Sequence, residues 1–357
     1  MSAVGGAIGL ARKVVGTGVR VAAAPLSVVP LPALPFVGQG KQDYFDTLRT
    51  LSQASTTGPH FEAFIDVPWD QPGFDLAKDD ERWQLPSIDP LSLTDWYRSL
   101  TKERQIEVAR QRMTAMTKTG SQFEQLLLLG GTQFLMGLQN ENPEFRYFMH
   151  ELTEECHHIQ MFQEFTNRSA PEISGAPAWL LKTIPLIALL GSVWPTLFFQ
   201  IILAGEEPID HVQKNALRAG GSHPLLDRIM AIHAAEEARH IGFAHAWLEH
   251  HTPEMGRLNR FAVGLLTPLI MRIAIQIIMV PSPADAELMG IPNDVMRDTF
   301  SRRNEAFRRM ISDVSADVRA GCEDAGMLTS RTRWAWRKWG VDGRPSRFRG
   351  EPVSSAA

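Results

Sequence analysis

Two short stretches of this 357-residue chain decide its fold: EECHHI at residues 154–159 and EEARHI at residues 236–241. Both lie within long patterns typical of α-helices, and each contains a Glu-x-x-His pair. Positions three apart on an α-helix differ by about 60° around its axis, so the carboxylate and the imidazole project from one face. The two pairs are Glu155 with His158 and Glu237 with His240.

One glutamate precedes each pair at the same distance. Glu124 precedes Glu155 by as many positions as Glu206 precedes Glu237. A four-helix di-metal carboxylate site takes one glutamate from each of two helices and a Glu-x-x-His pair from each of the other two. His233 lies four residues before Glu237, on the same helix face, and adds a third imidazole. The predicted metal ligands are Glu124, Glu155, His158, Glu206, His233, Glu237 and His240.

This ligand set indicates which metal is bound. Two divalent ions carry four positive charges, which four glutamates would neutralise, and oxygen and imidazole ligands suit iron or manganese better than thiolates would. Zinc alone would not require so many carboxylates. We therefore expect two iron ions or a mixed iron and manganese pair.

Two of the expected ligands have alternatives in the sequence. Glu124 also fits a capping box that begins at Ser121, which would place it at the start of a helix. Glu207 competes with Glu206 and stands about 100° away on the helix. The equal spacing in the two halves favours Glu206.

The first pair also has a shifted register, Glu154 with His157, although alignment with the second pair favours Glu155 and His158. Cys156 is predicted to be a small packing residue. Gly130-Gly131 is predicted to allow tight helix packing, with a channel as the alternative. Four further histidines are expected at caps or on the surface: His211, His245, His250 and His251.

Turn signals divide the chain after Thr101 into helices. Asn142 before Pro143 predicts a cap and a first-turn proline, Gly220-Gly221 predicts a helix end, and Ser222 predicts the next start. The predicted helices span residues 102–139, 143–168, 178–219, 224–251, 254–280 and 293–321. The expected fold is all-α, with an irregular N-terminal arm over residues 1–95, a ferritin-like four-helix bundle over 96–285, and a C-terminal helix with a basic Trp-containing tail over 286–357.

Two stretches, 183–205 and 261–280, are apolar enough to raise the question of membrane spans. Pro185, Pro195 and Pro268 interrupt them and weaken that interpretation. Helices that are hydrophobic on every side are also typical of the interior of a large bundle. We therefore predict two buried helices, with a membrane-associated helical protein as the alternative.

Composition narrows the function further. The net charge of −4 provides no basic field for nucleic acid. Two cysteines, Cys156 and Cys322, argue against a disulfide framework and favour a cytoplasmic protein. Basic residues precede an apolar stretch near the N-terminus, but the prolines of that stretch favour an extended arm over a signal peptide.

The basic tail beyond residue 300 carries Trp334, Trp336 and Trp339. We expect these tryptophans to pack on the bundle, with contact to an anionic membrane as the alternative.

The order of the seven expected ligands over residues 100–250 resembles that of the para-aminobenzoate N-oxygenase (AurF-like) family. The specific feature is the extra histidine, His233, one turn before the second Glu-x-x-His pair. The resemblance implies a ferritin-like fold, often dimeric, whose di-iron centre oxygenates a substrate nitrogen or carbon. It does not account for the apolar stretches or the arm, and it does not identify the substrate.

The function we predict is that of a di-iron oxygenase that uses dioxygen to oxidise a small, rather apolar substrate by N- or C-oxygenation, hydroxylation or desaturation. The chain shows no dinucleotide or flavin fingerprint, so a separate reductase or ferredoxin must supply electrons. We expect a homodimer. The alternatives are a ferroxidase or iron-storage protein on the same fold, the membrane-associated protein already considered, and a di-metal hydrolase.

Overall fold

A computed structural model describes residues 40–58, 60–220 and 222–343 of the chain. Within these ranges the regular secondary structure is entirely helical, which confirms the all-α prediction. Residues 1–39 of the predicted arm, including the segment considered as a signal peptide, lie outside the described residues. The last part of the basic tail, with Arg344, Arg347 and Arg349, does so as well.

Fourteen α-helices are present in the described part of the chain, together with short 3-10 turns. In chain order they are α1 (Gly40–Thr57), α2 (Asp95–Ser99), α3 (Lys102–Met136), α4 (Pro143–Ser169), α5 (Ala178–Ala188), α6 (Leu190–Val193), α7 (Pro195–Ala219), α8 (Pro224–His251), α9 (Arg257–Met279), α10 (Pro283–Leu288), α11 (Asn293–Thr299), α12 (Glu305–Val314), α13 (Ala316–Asp324) and α14 (Arg333–Trp339).

The four helices that carry the expected ligands, α3, α4, α7 and α8, form the central bundle. Helix α3 packs mainly on α4, and α7 packs mainly on α8, while α4 and α8 also contact each other. Helix α9 lies against α7 and α3. This arrangement of two paired helix units is the ferritin-like core that the duplicated sequence predicts.

Local chemistry fixes where the central helices begin and end. The Asn142 side chain accepts a hydrogen bond from the Glu144 backbone N–H, with Pro143 in the first helical position, as predicted. Helix α7 ends at Gly220. Its φ is 65°, and glycine adopts a positive φ without the steric penalty that other residues incur. Helix α8 is capped by His223 rather than by Ser222.

The prediction of a wholly irregular N-terminal arm was wrong for residues 40–57, which form helix α1. Tyr44, Leu48 and Leu51 are buried on one face of α1, which packs on α4 and α8. Their spacing of four and three residues is helical, but the surrounding Pro and Gly residues concealed this short pattern. The Tyr44 hydroxyl donates to Glu144 Oε1 at 2.7 Å and joins α1 to α4.

Two predicted helices are divided in the structure. The stretch 178–219 forms α5, α6 and α7, because Trp194 leaves the helical region with a φ of −151° immediately before Pro195. The stretch 293–321 forms α11, α12 and α13, and the Asn304 side chain caps α12 by accepting from Phe307 N–H.

The first apolar stretch is not buried on every side, contrary to the prediction. Leu186 is 68% exposed, Val193 is 74% exposed, and Trp179, just before the stretch, is 54% exposed. The second stretch matches the prediction more closely, since Met271 and Ile275 of α9 are fully buried. By length and composition alone, one segment of the described chain, 257–288, could cross a membrane, and 56% of its most apolar window is buried inside the protein.

The tryptophans of the C-terminal region differ in burial. Trp336 of α14 is fully buried, and its indole N–H donates to the Gly264 carbonyl of α9 at 3.3 Å. Trp334, on the same helix, is 55% exposed. The predicted packing of this region on the bundle is confirmed for Trp336 but not for Trp334.

Close backbone contacts join α3 to the segment before α7. A Cβ added to Gly191 would lie 2.0 Å from the Gly130 carbonyl oxygen, and one added to Gly130 would lie 2.2 Å from the Phe198 ring. Gly131 is similarly close to Leu152. The glycine pair of α3 therefore serves tight packing, as predicted.

Substitution Gly191→Ala should destabilise the fold, because the new methyl group would meet rigid backbone of α3 rather than a flexible side chain. We expect a loss of about 1–3 kcal/mol in the free energy of unfolding, measured by denaturant titration. Gly137→Ala is the control, since Gly137 is exposed, helical, and only in ordinary contact with its surroundings. Equal stabilities of the two variants would contradict the close approach.

Candidate metal centre

The structure brings the seven predicted ligands into the interior of the central bundle, where each side chain is no more than 5% exposed. Two sets of four residues each place one donor atom per residue within 4.8 Å of the others. His158 and Glu237 belong to both sets, so the sets adjoin. The first set is Glu124, His158, His233 and Glu237; the second is Glu155, His158, Glu237 and His240.

The two histidines of the Glu-x-x-His pairs direct Nδ1 towards the centre. His158 Nδ1 lies 3.1 Å from Glu155 Oε2 and 3.4 Å from Glu237 Oε1. His240 Nδ1 lies 2.7 Å from Glu155 Oε1 and 3.3 Å from Glu237 Oε1. Each imidazole therefore meets carboxylates from both helix pairs at the same point.

Their outer nitrogens are held by carboxylates of the opposite helix. His158 Nε2 lies 2.8 Å from Glu236 Oε2 on α8, and His240 Nε2 lies 2.8 Å from Glu154 Oε2 on α4. Because a carboxylate only accepts hydrogen bonds, this contact favours the proton on Nε2 and leaves the Nδ1 lone pair for a metal. The arrangement is crossed: the first glutamate of each Glu-Glu doublet orients the histidine of the other motif.

His233 is oriented the other way round. Its Nε2 points inward, 3.1 Å from Glu124 Oε1 and 3.4 Å from Glu237 Oε1, while Nδ1 lies 2.8 Å from Gln213 Oε1. Gln213 therefore takes the orienting role that a carboxylate takes for the other two histidines. Burial, reinforced by the neighbouring His158, lowers the pKa of His233 well below its usual value, which favours the neutral form that a metal requires.

Glu206 lies outside both sets of four, yet it belongs to the same electrostatic cluster. Burial raises its pKa well above the usual value, and Glu237 and Glu151 raise it further. Neither of its carboxylate oxygens accepts a hydrogen bond from the described residues. Glu206 is therefore the one predicted ligand whose side chain the structure places near the centre without a direct donor contact.

Several inward-facing atoms of the cluster make no hydrogen bond of acceptable geometry among the described residues, even where two of them are close, as His240 Nδ1 and Glu155 Oε1 are at 2.7 Å. They include both oxygens of Glu206 and Glu237, Oε1 of Glu155, and Nδ1 of His240. A buried carboxylate without a partner is strongly unfavourable, and several in contact repel one another. Bound cations would remove both costs, so these residues fit a pair of divalent metal ions by charge and by donor type.

The pKa values of the cluster reflect this crowding. Burial raises the pKa of Glu124 and of Glu237, and the adjacent Glu155 raises both further. Burial acts in the same sense on Glu155, but His158 and a hydrogen bond from Glu124 outweigh it and lower the pKa. For His158, burial is outweighed by Glu155 and Glu236, which raise the pKa to about 10.

The structure distinguishes between the competing ligand assignments. Glu124 lies far inside α3, so the capping-box alternative that begins at Ser121 does not describe the helix. Glu207 pairs with His245 at 2.6 Å instead of facing the cluster. His157 is only half-buried and belongs to neither set of four.

Two minor predictions were wrong. His245 was expected at a cap or on the surface, but it is buried and forms its contact with Glu207 from the preceding helix, a partner that sequence spacing does not reveal. Cys156 was expected to pack inside, but it is exposed because it projects away from the inward face of α4.

Sequence reasoning did not assign the roles of four polar residues of the site, although it considered Glu154 as an alternative ligand. Glu154, Glu236 and Gln213 hold the outer nitrogens of the histidines, and the repeated Glu-Glu doublet was the signal for the first two. Glu151 is 1% exposed and lies four residues before Glu155, the position that His233 occupies before Glu237. The duplication therefore extends one helical turn further than the metal-ligand pattern alone indicates.

A mainly apolar cavity adjoins the His233 side of the cluster. Its volume is about 80 Å³. Gln213 and Phe162 line it, and the Phe162 ring centroid lies 4.8 Å from that of His233. A buried ion pair also lines the cavity: Arg112 Nε lies 2.8 Å from Asp89 Oδ2. Phe162 and Gln213, which both contact His233, thus connect the cavity to the cluster.

Fold and donor set together define the class of ferritin-like di-iron carboxylate proteins. The chain belongs to the p-aminobenzoate N-oxygenase AurF family, whose model matches residues 41–326. Members of this family are di-iron oxygenases. Uncharacterized proteins of Mycobacterium bovis and Mycobacterium tuberculosis are each 42% identical to this chain over 311 residues. The matched region covers 87% of this chain and 91% of each relative. No solved structure matches the chain significantly.

Substitution Glu206→Gln should weaken iron binding and also change the pH dependence of the metal-free protein. The raised pKa means that the unfolded chain loses this proton near pH 4.5, while the folded chain retains it to higher pH. The stability that Glu206 contributes to the folded, metal-free protein is therefore fully present below pH 4.5. It is lost as the pH rises towards the pKa of Glu206 in the folded chain. Metal-free Glu206→Gln should therefore lose less stability than wild type as the pH rises above about 4.5.

Iron content by elemental analysis and chemical unfolding at several pH values would measure both effects. Glu207→Gln is the matched control, because its carboxylate pairs with His245. Iron uptake by Glu206→Gln equal to that of wild type would exclude Glu206 from the metal centre.

Proposed function

We propose that this protein is a non-haem di-iron oxygenase that oxidises a small, mainly apolar substrate bound beside His233. The observation that carries the proposal is the buried set of inward-facing carboxylates and imidazoles directly next to an apolar cavity. The proposed metal ligands are Glu124, Glu155, His158, Glu206, His233, Glu237 and His240.

When bound, the two irons, or an iron and manganese pair, supply the activation of dioxygen, which is the co-substrate. The protein holds and orients the ligands: Glu236 and Glu154 keep the protons of His158 and His240 on Nε2. Complete burial excludes bulk water from the cluster and from reactive species formed there. N- or C-oxygenation, hydroxylation and desaturation are all compatible with this arrangement.

The cavity supports the choice of an oxygenase over a ferroxidase or iron store. Iron oxidation alone requires no apolar pocket near the ligands. Apolar residues such as Met116, Val212 and Ile229 line the wall, which favours an aromatic or acyl substrate. A substrate of this kind would lie against Phe162 and close to His233.

We further propose that a separate reductase or ferredoxin delivers the electrons and that the protein is a cytoplasmic homodimer. The exposed apolar side chains Trp179, Leu186 and Val193 on α5 and α6 support burial in an assembly. Light scattering would distinguish a dimer from the large shell that iron storage requires. Vesicle co-sedimentation would detect the alternative, peripheral membrane contact.

The oxygenase activity can be tested with iron-loaded protein, a chemical reductant and a panel of aromatic amines and acyl compounds. We expect substrate-dependent oxygen consumption and products that gain one oxygen or lose two hydrogens. Glu155→Gln should abolish turnover, because it removes a carboxylate that contacts both paired histidines. Iron oxidation without conversion of any compound would favour the ferroxidase, and conversion without oxygen would favour a hydrolase.

Filling the cavity should separate substrate binding from metal binding. Val212→Trp places a large ring in the wall of the cavity and should raise KM for the best substrate about tenfold or more, with iron content unchanged. Leu258→Trp is the matched control, since Leu258 is 82% exposed and lies outside the cavity lining. An unchanged KM for Val212→Trp would place the substrate elsewhere.

A further inference from the structure

A third group of metal-binding side chains lies between the surface and the metal centre. His60, His150 and Glu154 each offer a donor atom, and the three atoms lie within 4.8 Å of one another. His60 is exposed and lies in the segment that follows α1, while His150 and Glu154 stand one turn apart on α4. Two imidazoles and a carboxylate are a donor set that binds divalent transition metals.

We propose that these three residues form an entry site through which divalent metal ions reach the buried centre. The proposal rests on the proposed function, because it assumes that the buried centre is loaded with metal. It assigns a transport role to residues outside the seven ligands.

Continuity of donor atoms is the first argument. His150 Nε2 lies 3.1 Å from Glu154 Oε1, and the other oxygen, Oε2, lies 2.8 Å from His240 Nε2. Exposure of the side chains falls along this series, from 26% for His150 to 7% for Glu154 and zero for His240. One carboxylate thus connects the outer imidazole to an imidazole of the metal centre.

A gap beneath the segment that carries His60 is the second argument. Phe61, Ala63 and Val67 of this segment form one wall, and the gap extends to His158 and Glu236 at the centre. Its space is about 10 Å³, close to that of one water molecule. The same surface segment therefore carries an outer donor and forms one wall of a gap that reaches His158.

The charge around Glu154 indicates transient rather than permanent binding. Arg239 also donates to Glu154 Oε1, and its positive charge opposes a cation at this oxygen. Such repulsion weakens the site relative to the buried centre, where carboxylates outnumber cations. A weak outer site next to a strong inner one favours inward transfer.

The test uses the full-length protein after removal of metal by a chelator. Co²⁺ is added at limiting concentration, and the visible absorption of bound Co²⁺ gives the loading rate and the final number of ions per chain. The rate of Co²⁺ loading should fall about tenfold or more in His60→Ala and in His150→Ala. Loss of an orienting partner already weakens metal binding by about this factor, and loss of a ligand should weaken it at least as much. The final occupancy of the buried centre should not change.

His211→Ala is the matched control, because His211 is a partly exposed histidine of α7 that lies outside both the donor group and the lining of the gap. Its loading rate should equal that of wild type. Wild-type rates in both His60→Ala and His150→Ala would overturn the entry site, as would a lower final Co²⁺ count with an unchanged rate, which would indicate a static site. Failure of the wild-type protein to bind Co²⁺ would contradict the proposed function itself.

Discussion

Mutual repulsion among buried carboxylates is the constraint on which this structure depends. Glu124, Glu155, Glu206 and Glu237 come from four helices and converge where water is excluded. Burial raises the pKa of all four, but for Glu155 the neighbouring His158 and His240 contribute to outweighing it, and the pKa is lowered. Such a centre is unfavourable without cations, so metal binding and the stability of the bundle are coupled. The apolar packing of the outer helices has to maintain this arrangement while the centre is empty.

The crossed contacts between the two Glu-x-x-His motifs give the centre its geometry. Glu236 on α8 holds His158 on α4, and Glu154 on α4 holds His240 on α8. A displacement of either helix would disturb a proposed ligand of each half at once, so the contacts couple helix packing to the orientation of the proposed ligands. Glu154 further connects this frame to His150 near the surface. The first glutamate of each doublet is thus a structural part of the site.

Sequence alone predicts the all-α bundle and the convergence of most ligands, because each of two similar motifs follows a glutamate at the same spacing. It could not predict the pairing of Glu207 with His245 or the role of Gln213, since these contacts join different helices at no fixed spacing. Helix α1 escaped prediction because its buried face is short. The cavity is likewise a product of tertiary packing, with walls drawn from segments as distant as Leu85 and Ile278.

The central claim is that two metal ions occupy the buried centre. Anomalous diffraction at the iron edge, from crystals of the iron-loaded protein, tests it most directly. The account predicts two strong peaks inside the bundle, surrounded by the carboxylates and imidazoles of α3, α4, α7 and α8, with His158 and Glu237 near both. A single peak, or peaks confined to surface histidines, would contradict it.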